Sequence, residues 1–218
     1  MPQLFSPASD TLARSVLVAA LVVPFLFVAL AYGVARSPMV TDQKAVITQP
    51  VPFSHEHHVG QLGLDCRYCH TQVEKTWFAG FPPTETCMTC HSQIWTNAAM
   101  LAPVRESFAT DKPIPWQRVH RLPDYVYFDH SIHVAKGVGC TTCHGQVNTM
   151  PLMYQNAPLT MGWCLECHRD PAKNLRPQSQ IFSLTWQPDP DQAEKGHKLL
   201  ADYGIKVDHL TDCSVCHR

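Results

Sequence analysis

Cys66-Arg-Tyr-Cys69-His70 decides how this chain is read, because its pattern returns four more times. The copies are Cys87-Met-Thr-Cys90-His91, Cys140-Thr-Thr-Cys143-His144, Cys164-Leu-Glu-Cys167-His168 and Cys213-Ser-Val-Cys216-His217, and together they use all ten cysteines. Cys-x-x-Cys-His attaches a c-type haem. Two thiols three residues apart lie on one face of a helical turn and can form thioethers to both vinyl groups, and the next residue brings an imidazole to the iron. Cys-x-x-Cys knuckles also build structural zinc sites. A zinc ribbon has no need of a trailing histidine, nor has a disulfide framework, yet here histidine follows every second cysteine. The motifs predict five covalently bound haem c groups with His70, His91, His144, His168 and His217 as proximal ligands.

Five irons need five further ligands. Two stretches, Phe53-Ser-His55-Glu-His57-His58 and Phe128-Asp-His130-Ser-Ile-His133, each carry Phe-x-His-x-x-His shortly before a haem motif. On a helical turn, residues i and i+3 are neighbours about 5–6 Å apart, so each histidine of a pair can serve a different iron and hold two haems close. His55, His58, His130 and His133 are therefore the expected distal ligands, with His120 as the fifth. His57 should turn to solvent. His197, on an amphipathic stretch, and His209, four residues before Cys213, are further candidates. Met161 is a possible axial sulfur, alongside Met100, Met150 and Met153; such a ligand raises a haem potential relative to two histidines, although methionine more often serves as packing.

The two Phe-x-His-x-x-His stretches mark an internal duplication. Cys69-His70-Thr-Gln72-Val73 matches Cys143-His144-Gly-Gln146-Val147, and each copy runs on through a Pro/Thr loop to a second haem motif. The expected organisation is a cytoplasmic amino terminus (1–14), a transmembrane helix (15–36), a linker (37–52), a first dihaem unit (53–115), a second (116–180) and a carboxyl segment with the fifth haem (181–218). Ser15–Ala35 holds 21 uncharged residues between Arg14 and Arg36, enough to span a bilayer core of about 30 Å, with Pro24 expected to kink the helix. A signal peptide has a shorter apolar region of about 7–15 residues, so the segment is expected to stay as an anchor. Haem c is attached after export, so the haem domain should face the periplasm at the bacterial inner membrane.

Beyond the anchor only about 36 residues serve each haem, too few for an ordinary apolar core, and 18 prolines and 10 glycines interrupt the chain. The fold expected is a multihaem cytochrome c, mostly irregular, with short α-helices packed around five haems and one transmembrane helix. Aromatic residues between the motifs should form a stacking shell around the porphyrins. Net charge is −1, which excludes nucleic acid as an evident partner. Outside the haem contexts there is no nucleophile–base set, phosphate loop or paired carboxylate, so no catalytic residue is expected.

The duplicated unit resembles the small class III multihaem cytochromes c. The whole order resembles something narrower, the pentahaem membrane-anchored cytochrome c subunit of bacterial alternative complex III. Residues that carry this resemblance include Val119-His120-Arg-Leu-Pro-Asp124, Tyr127-Phe-Asp-His130-Ser-Ile-His133, Gly137-Val-Gly-Cys140 and Leu159-Thr-Met161-Gly-Trp163-Cys164. The resemblance implies a subunit that relays electrons from quinol oxidation and has no enzyme activity of its own. Its implied partners are integral-membrane and iron–sulfur subunits, another cytochrome c subunit, and a periplasmic cytochrome c, copper protein or oxidase. The alternative is a self-sufficient anchored quinol dehydrogenase feeding a periplasmic reductase; a multihaem reductase of small molecules ranks below both, because every motif ends in histidine.

Overall fold

The computed structural model describes residues 6–217 and divides the chain into two units, up to Gln43 and from Lys44 onward. The first unit is helix α1 (Pro7–Ala35) followed by the single turn α2 (Pro38–Thr41). Helix α1 begins eight residues before the expected span. Ser6 caps it by accepting a hydrogen bond from the Ser9 amide, proline occupies its first turn, and Asp10 pairs with Arg14 at 3.0 Å one turn on. These polar contacts carry the helix out past the apolar stretch. Pro24 lies inside it without ending it. The candidate span Ala8–Ala35 covers 28 residues, about 42 Å of helix, and its uncharged part, Ser15–Ala35, is long enough for a hydrocarbon core.

In the second unit no strand forms among the described residues; backbone pairing is limited to the isolated bridges Val46–Tyr154, Val126–His217 and Val138–Leu175. Short helices follow one another: α3 (Cys66–Cys69), α4 (Thr84–His91), α5 (Ala102–Thr110), α6 (His130–Ala135), α7 (Cys140–His144), α8 (Met161–Arg169), α9 (Gln192–Asp202) and α10 (Cys213–Cys216). Each of α3, α4, α7, α8 and α10 carries one Cys-x-x-Cys-His motif, so the local geometry expected from the spacing is present five times. The expected linker is shorter than 37–52. The Lys44 amide already donates to the Gln155 carbonyl (2.8 Å), and Val46 bridges to Tyr154, so long-range pairing ties these residues into the second unit.

Apolar burial is sparse, as the length per motif requires. One cluster gathers Val51, Leu101, Val104 and Ile114, with Cys87 and Trp116 against it. Another joins Val73, Val134 and Ile181, with Cys140 and Phe182, and so ties both halves of the duplication to the carboxyl segment. Helix α9 docks on the 3-10 turn Ala172–Asn174 through Gly196, where any β-carbon would run into the Ala172 carbonyl. Gln192 Nε2 holds the same seat by donating to the Leu175 carbonyl at 2.9 Å. Because that neighbour is backbone, Gly196→Ala is expected to destabilise the domain by about 1–3 kcal/mol. Denaturant unfolding of the haem-loaded protein against wild type measures this, and equal midpoints would disprove the close approach.

Candidate haem sites

Histidine tautomers define the sites. His58 Nδ1 lies 2.9 Å from the Ser54 carbonyl, and His133 Nδ1 lies 2.7 Å from that of Asp129. His130 Nδ1 meets the Trp77 carbonyl at 2.9 Å, and His70 Nδ1 meets that of Gly80 at 2.7 Å. His168 Nδ1 meets the Leu210 carbonyl at 2.9 Å and His91 Nδ1 that of Ile94 at 3.2 Å. A carbonyl oxygen only accepts, so Nδ1 must carry the proton, and a neutral imidazole then has its bare lone pair at Nε2. This is the arrangement in which backbone carbonyls behind the ring orient metal-binding histidines. Burial lowers the pKa of His58, His130 and His133, and lowers those of His55 and His120 to about 4. Burial also takes His144 well below its ordinary value. All six are neutral at physiological pH, the state a ligand must have.

Ring separations pair several of them. His58 and His91 have ring centres 6.2 Å apart, His133 and His168 also 6.2 Å, and His130 and His144 6.3 Å. Two imidazoles on opposite sides of one metal, each bonded at about 2 Å, have centres roughly 6 Å apart. The residues present therefore fit the group that the motifs predict. His120 lies with its ring 4.3 Å from His144 and its Nε2 buried without a partner. It is thus beside the third motif, too close to oppose His144 across an iron in this geometry. His55 keeps Nδ1 buried and unpartnered, with His70 as the leading neighbour acting on it.

The remaining candidates stand apart. His57 is exposed, as expected, and its Nδ1 faces Gln61 Oε1 at 2.9 Å. His209 turns Nδ1 to Asp212 and Nε2 to Asp208, and His197 sits on the exposed side of α9. Met161 is exposed at the start of α8, while Met150 is fully buried as packing. His217 has Tyr125 against it, ring centres 5.9 Å apart.

The structure also shows what the sequence reading missed. Phe53 stacks on His58 (4.4 Å, 22°) and meets His55 edge-on (5.0 Å, 85°). Phe128 stacks on His133 (4.7 Å, 25°) and meets His130 edge-on (4.7 Å, 90°). The phenylalanine that opens each Phe-x-His-x-x-His stretch fixes both rings, and its recurrence at the same offset was the available signal. One difference separates the copies. His130 begins an α-helix, whereas Glu56–Gln61 forms a π-helix, with the Leu62 amide reaching the His57 carbonyl; such wide turns occur mostly at functional sites.

The motifs touch in an order unlike that of the sequence. Tyr68 Oη meets Thr89 Oγ1 at 3.0 Å, joining the first motif to the second. Cys66 and Cys140 lie side by side, joining the first to the third. Burial pushes the Cys143 thiol up to about 12, with Cys167 and Cys164 of the fourth motif near enough to add to it. The fourth and fifth motifs meet where Cys164 neighbours Cys216 and where Leu210 supplies the carbonyl to His168. The row is second, first, third, fourth, fifth.

These features define a multihaem cytochrome c. Residues 126–218 match the family model described as cytochrome c7 and related cytochrome c. Over 205 residues the chain is 31% identical to the "Menaquinone reductase, multiheme cytochrome c subunit" of Nitratidesulfovibrio vulgaris, an alignment covering 88% of this chain and 87% of that protein. The chain belongs to that family of multihaem cytochromes c, whose members carry covalently bound haem c.

Replacing His58 by Ala is expected to convert one low-spin haem to high spin, whereas His57→Ala leaves the spectrum unchanged. Electron paramagnetic resonance of the oxidised variants separates them, and equal spectra would remove His58 from the ligand set.

Proposed function

We propose that this protein is a membrane-anchored pentahaem relay. In this reading it carries electrons from quinol oxidation, through an iron–sulfur subunit of an assembly of the alternative complex III kind, to a periplasmic cytochrome c, copper protein or oxidase. Helix α1 is the anchor, and the haem domain lies on the outer face of the bacterial inner membrane. Haem c, when bound, supplies one-electron iron chemistry at a potential set by its axial ligands and surroundings.

The protein's own residues do the rest. Cysteine pairs at the five motifs would attach each haem, and the histidine that follows each pair would bind its iron. His58 and His91 would hold the second haem, His130 and His144 the third, and His133 and His168 the fourth, with His55 and His70 serving the first. Phe53 and Phe128 keep the paired rings from turning, and the carbonyls on Nδ1 of His58, His70, His91, His130, His133 and His168 hold the bare Nε2 of these six in place. The observation that carries the reading is the row of neighbouring motifs, second, first, third, fourth and fifth. Cys90 at the second motif and Cys213 at the fifth are exposed, so both ends of the row are open to partners while its middle is shielded. No catalytic residue is required in such a chain.

A second reading has a specific support: the relative is named a menaquinone reductase. In that case electrons run the other way, from a periplasmic donor into the quinone pool, over the same row. A self-sufficient anchored quinol dehydrogenase is the third arrangement.

Native electrophoresis of gently solubilised membranes, with haem staining and activity assays in the excised band, tests all three. The expected result is a large assembly that reduces cytochrome c from a quinol. An assembly that only reduces a menaquinone analogue from a reduced periplasmic cytochrome would favour the second reading. Migration alone, with quinol oxidation retained, would favour the third.

A further inference from the structure

Arg176 is buried, with 4% of its surface exposed. Its Nη1 donates to the Ser183 carbonyl (3.1 Å) and its Nη2 to Thr141 Oγ1 (2.5 Å), and its Nε has no partner. Its guanidinium lies over the Trp186 ring, 4.3 Å from the centroid. Among the described residues no carboxylate pairs with it. A cation–π contact returns less than the burial of a lone charge costs. A folded domain therefore needs a reason to keep a cation there.

The surroundings point at the third attachment motif. Thr141 lies inside Cys140-Thr-Thr-Cys143-His144. Gly139, which precedes it, has its α-carbon against the guanidinium, so that a β-carbon would overlap Arg176 Cζ. The Arg176 amide donates to the Gly137 carbonyl at 2.8 Å, next to the bridge between Val138 and Leu175, and Tyr203 Oη donates to the Arg176 carbonyl at 3.0 Å. Gly137-Val-Gly139-Cys140 thus forms a seat in which an arginine charge is pressed against the start of the motif. The row of contacts leaves this role unexplained.

We propose that Arg176 is the counter-cation of the haem carried by Cys140 and Cys143, holding its reduction potential above the value its histidines alone would give. The inference rests on the reading of that motif as a haem site. Ferric iron carries one positive charge more than ferrous, so a fixed cation nearby favours the reduced form. Haem propionates are the anions that a cation so placed would meet, and neutralising them acts in the same direction. The charge is worth more here than at the surface because the site is shielded from water.

The test uses the full-length, haem-loaded protein with Arg176→Met, which removes the charge, and Arg176→Lys, which keeps it but not the guanidinium hydrogen bonds. Peptide mass mapping first establishes haem on the Cys140–His144 peptide of the wild type; without it, the haem reading fails rather than the role of Arg176. Haem is then counted by pyridine haemochrome, and potentials are read by optical redox titration. The expected result is one component shifted to lower potential in Arg176→Met and restored in Arg176→Lys. Loss of the third haem in Met but not Lys would equally support the charge. Unchanged potentials in a fully loaded Met variant would overturn the proposal. Equal shifts, or equal haem loss, in both variants would overturn it too, leaving a hydrogen-bonding staple.

Discussion

Everything at these sites depends on one constraint, that a carbonyl oxygen can accept but never donate. An imidazole whose Nδ1 faces such an oxygen must carry its proton there and offer Nε2 bare. Six histidines are held in this way, and the fold is shaped by where their carbonyls come from. Ser54 and Asp129 supply theirs from four residues upstream of His58 and His133, within one turn. Trp77 serves His130 from 53 residues away, and Leu210 serves His168 from 42. Loops that look irregular are therefore held by the histidines they orient. Regular strands would use those carbonyls for pairing with one another.

The scarcity of apolar burial follows from the same demand. Much of the chain is spent on turns that present cysteines, histidines and carbonyls, so the apolar side chains gather only in small clusters. Val73, Val134 and Ile181 meet where Cys66 approaches Cys140, and Phe182 at the rim stacks under Arg67 at 4.4 Å. That junction joins three segments distant in sequence. Elsewhere glycines make the packing tight, Gly196 against the Ala172 backbone and Gly139 against the Arg176 guanidinium. Bulk at either position would force backbone or a buried charge to move, and little surrounding core could absorb the shift.

What was legible in the sequence is what is local. Each Cys-x-x-Cys-His spacing implies its helical turn, and each turn is present. The exposure of His57 followed from counting angles from His55, and the apolar stretch of α1 followed from composition. Long-range pairing was not legible. The linker shortened because Lys44 pairs with Gln155, a contact that no window of residues contains. His120 is a distal candidate by elimination, and only the fold shows that it lies beside His144. The α1 start at Pro7 was missed because capping by Ser6 and the Asp10–Arg14 pair extend the helix beyond its apolar residues. The opening phenylalanines were visible as a repeat, yet their stacking role needs ring geometry to be seen.

The order of the motifs has a simple geometric origin. Cys66 and Cys140 are equivalent residues, the first cysteine of the first motif in each copy of the duplicated unit, and they touch each other. His130 of the second copy neighbours His70 of the first, and His55 of the first neighbours His144 of the second. Contacts that recur with the copies exchanged are the signature of a two-fold, isologous junction. Two dihaem units meeting through equivalent faces bring their first motifs together at the centre and send their second motifs outward. The row then begins at the second motif and reaches the fourth from the other side. The fifth motif, present once, extends only that end, where Tyr127 donates to the Cys216 carbonyl at 2.7 Å and Val126 bridges to His217. A symmetric pair with one addition has two unlike ends, and the proposed relay would present a different end to each of its partners.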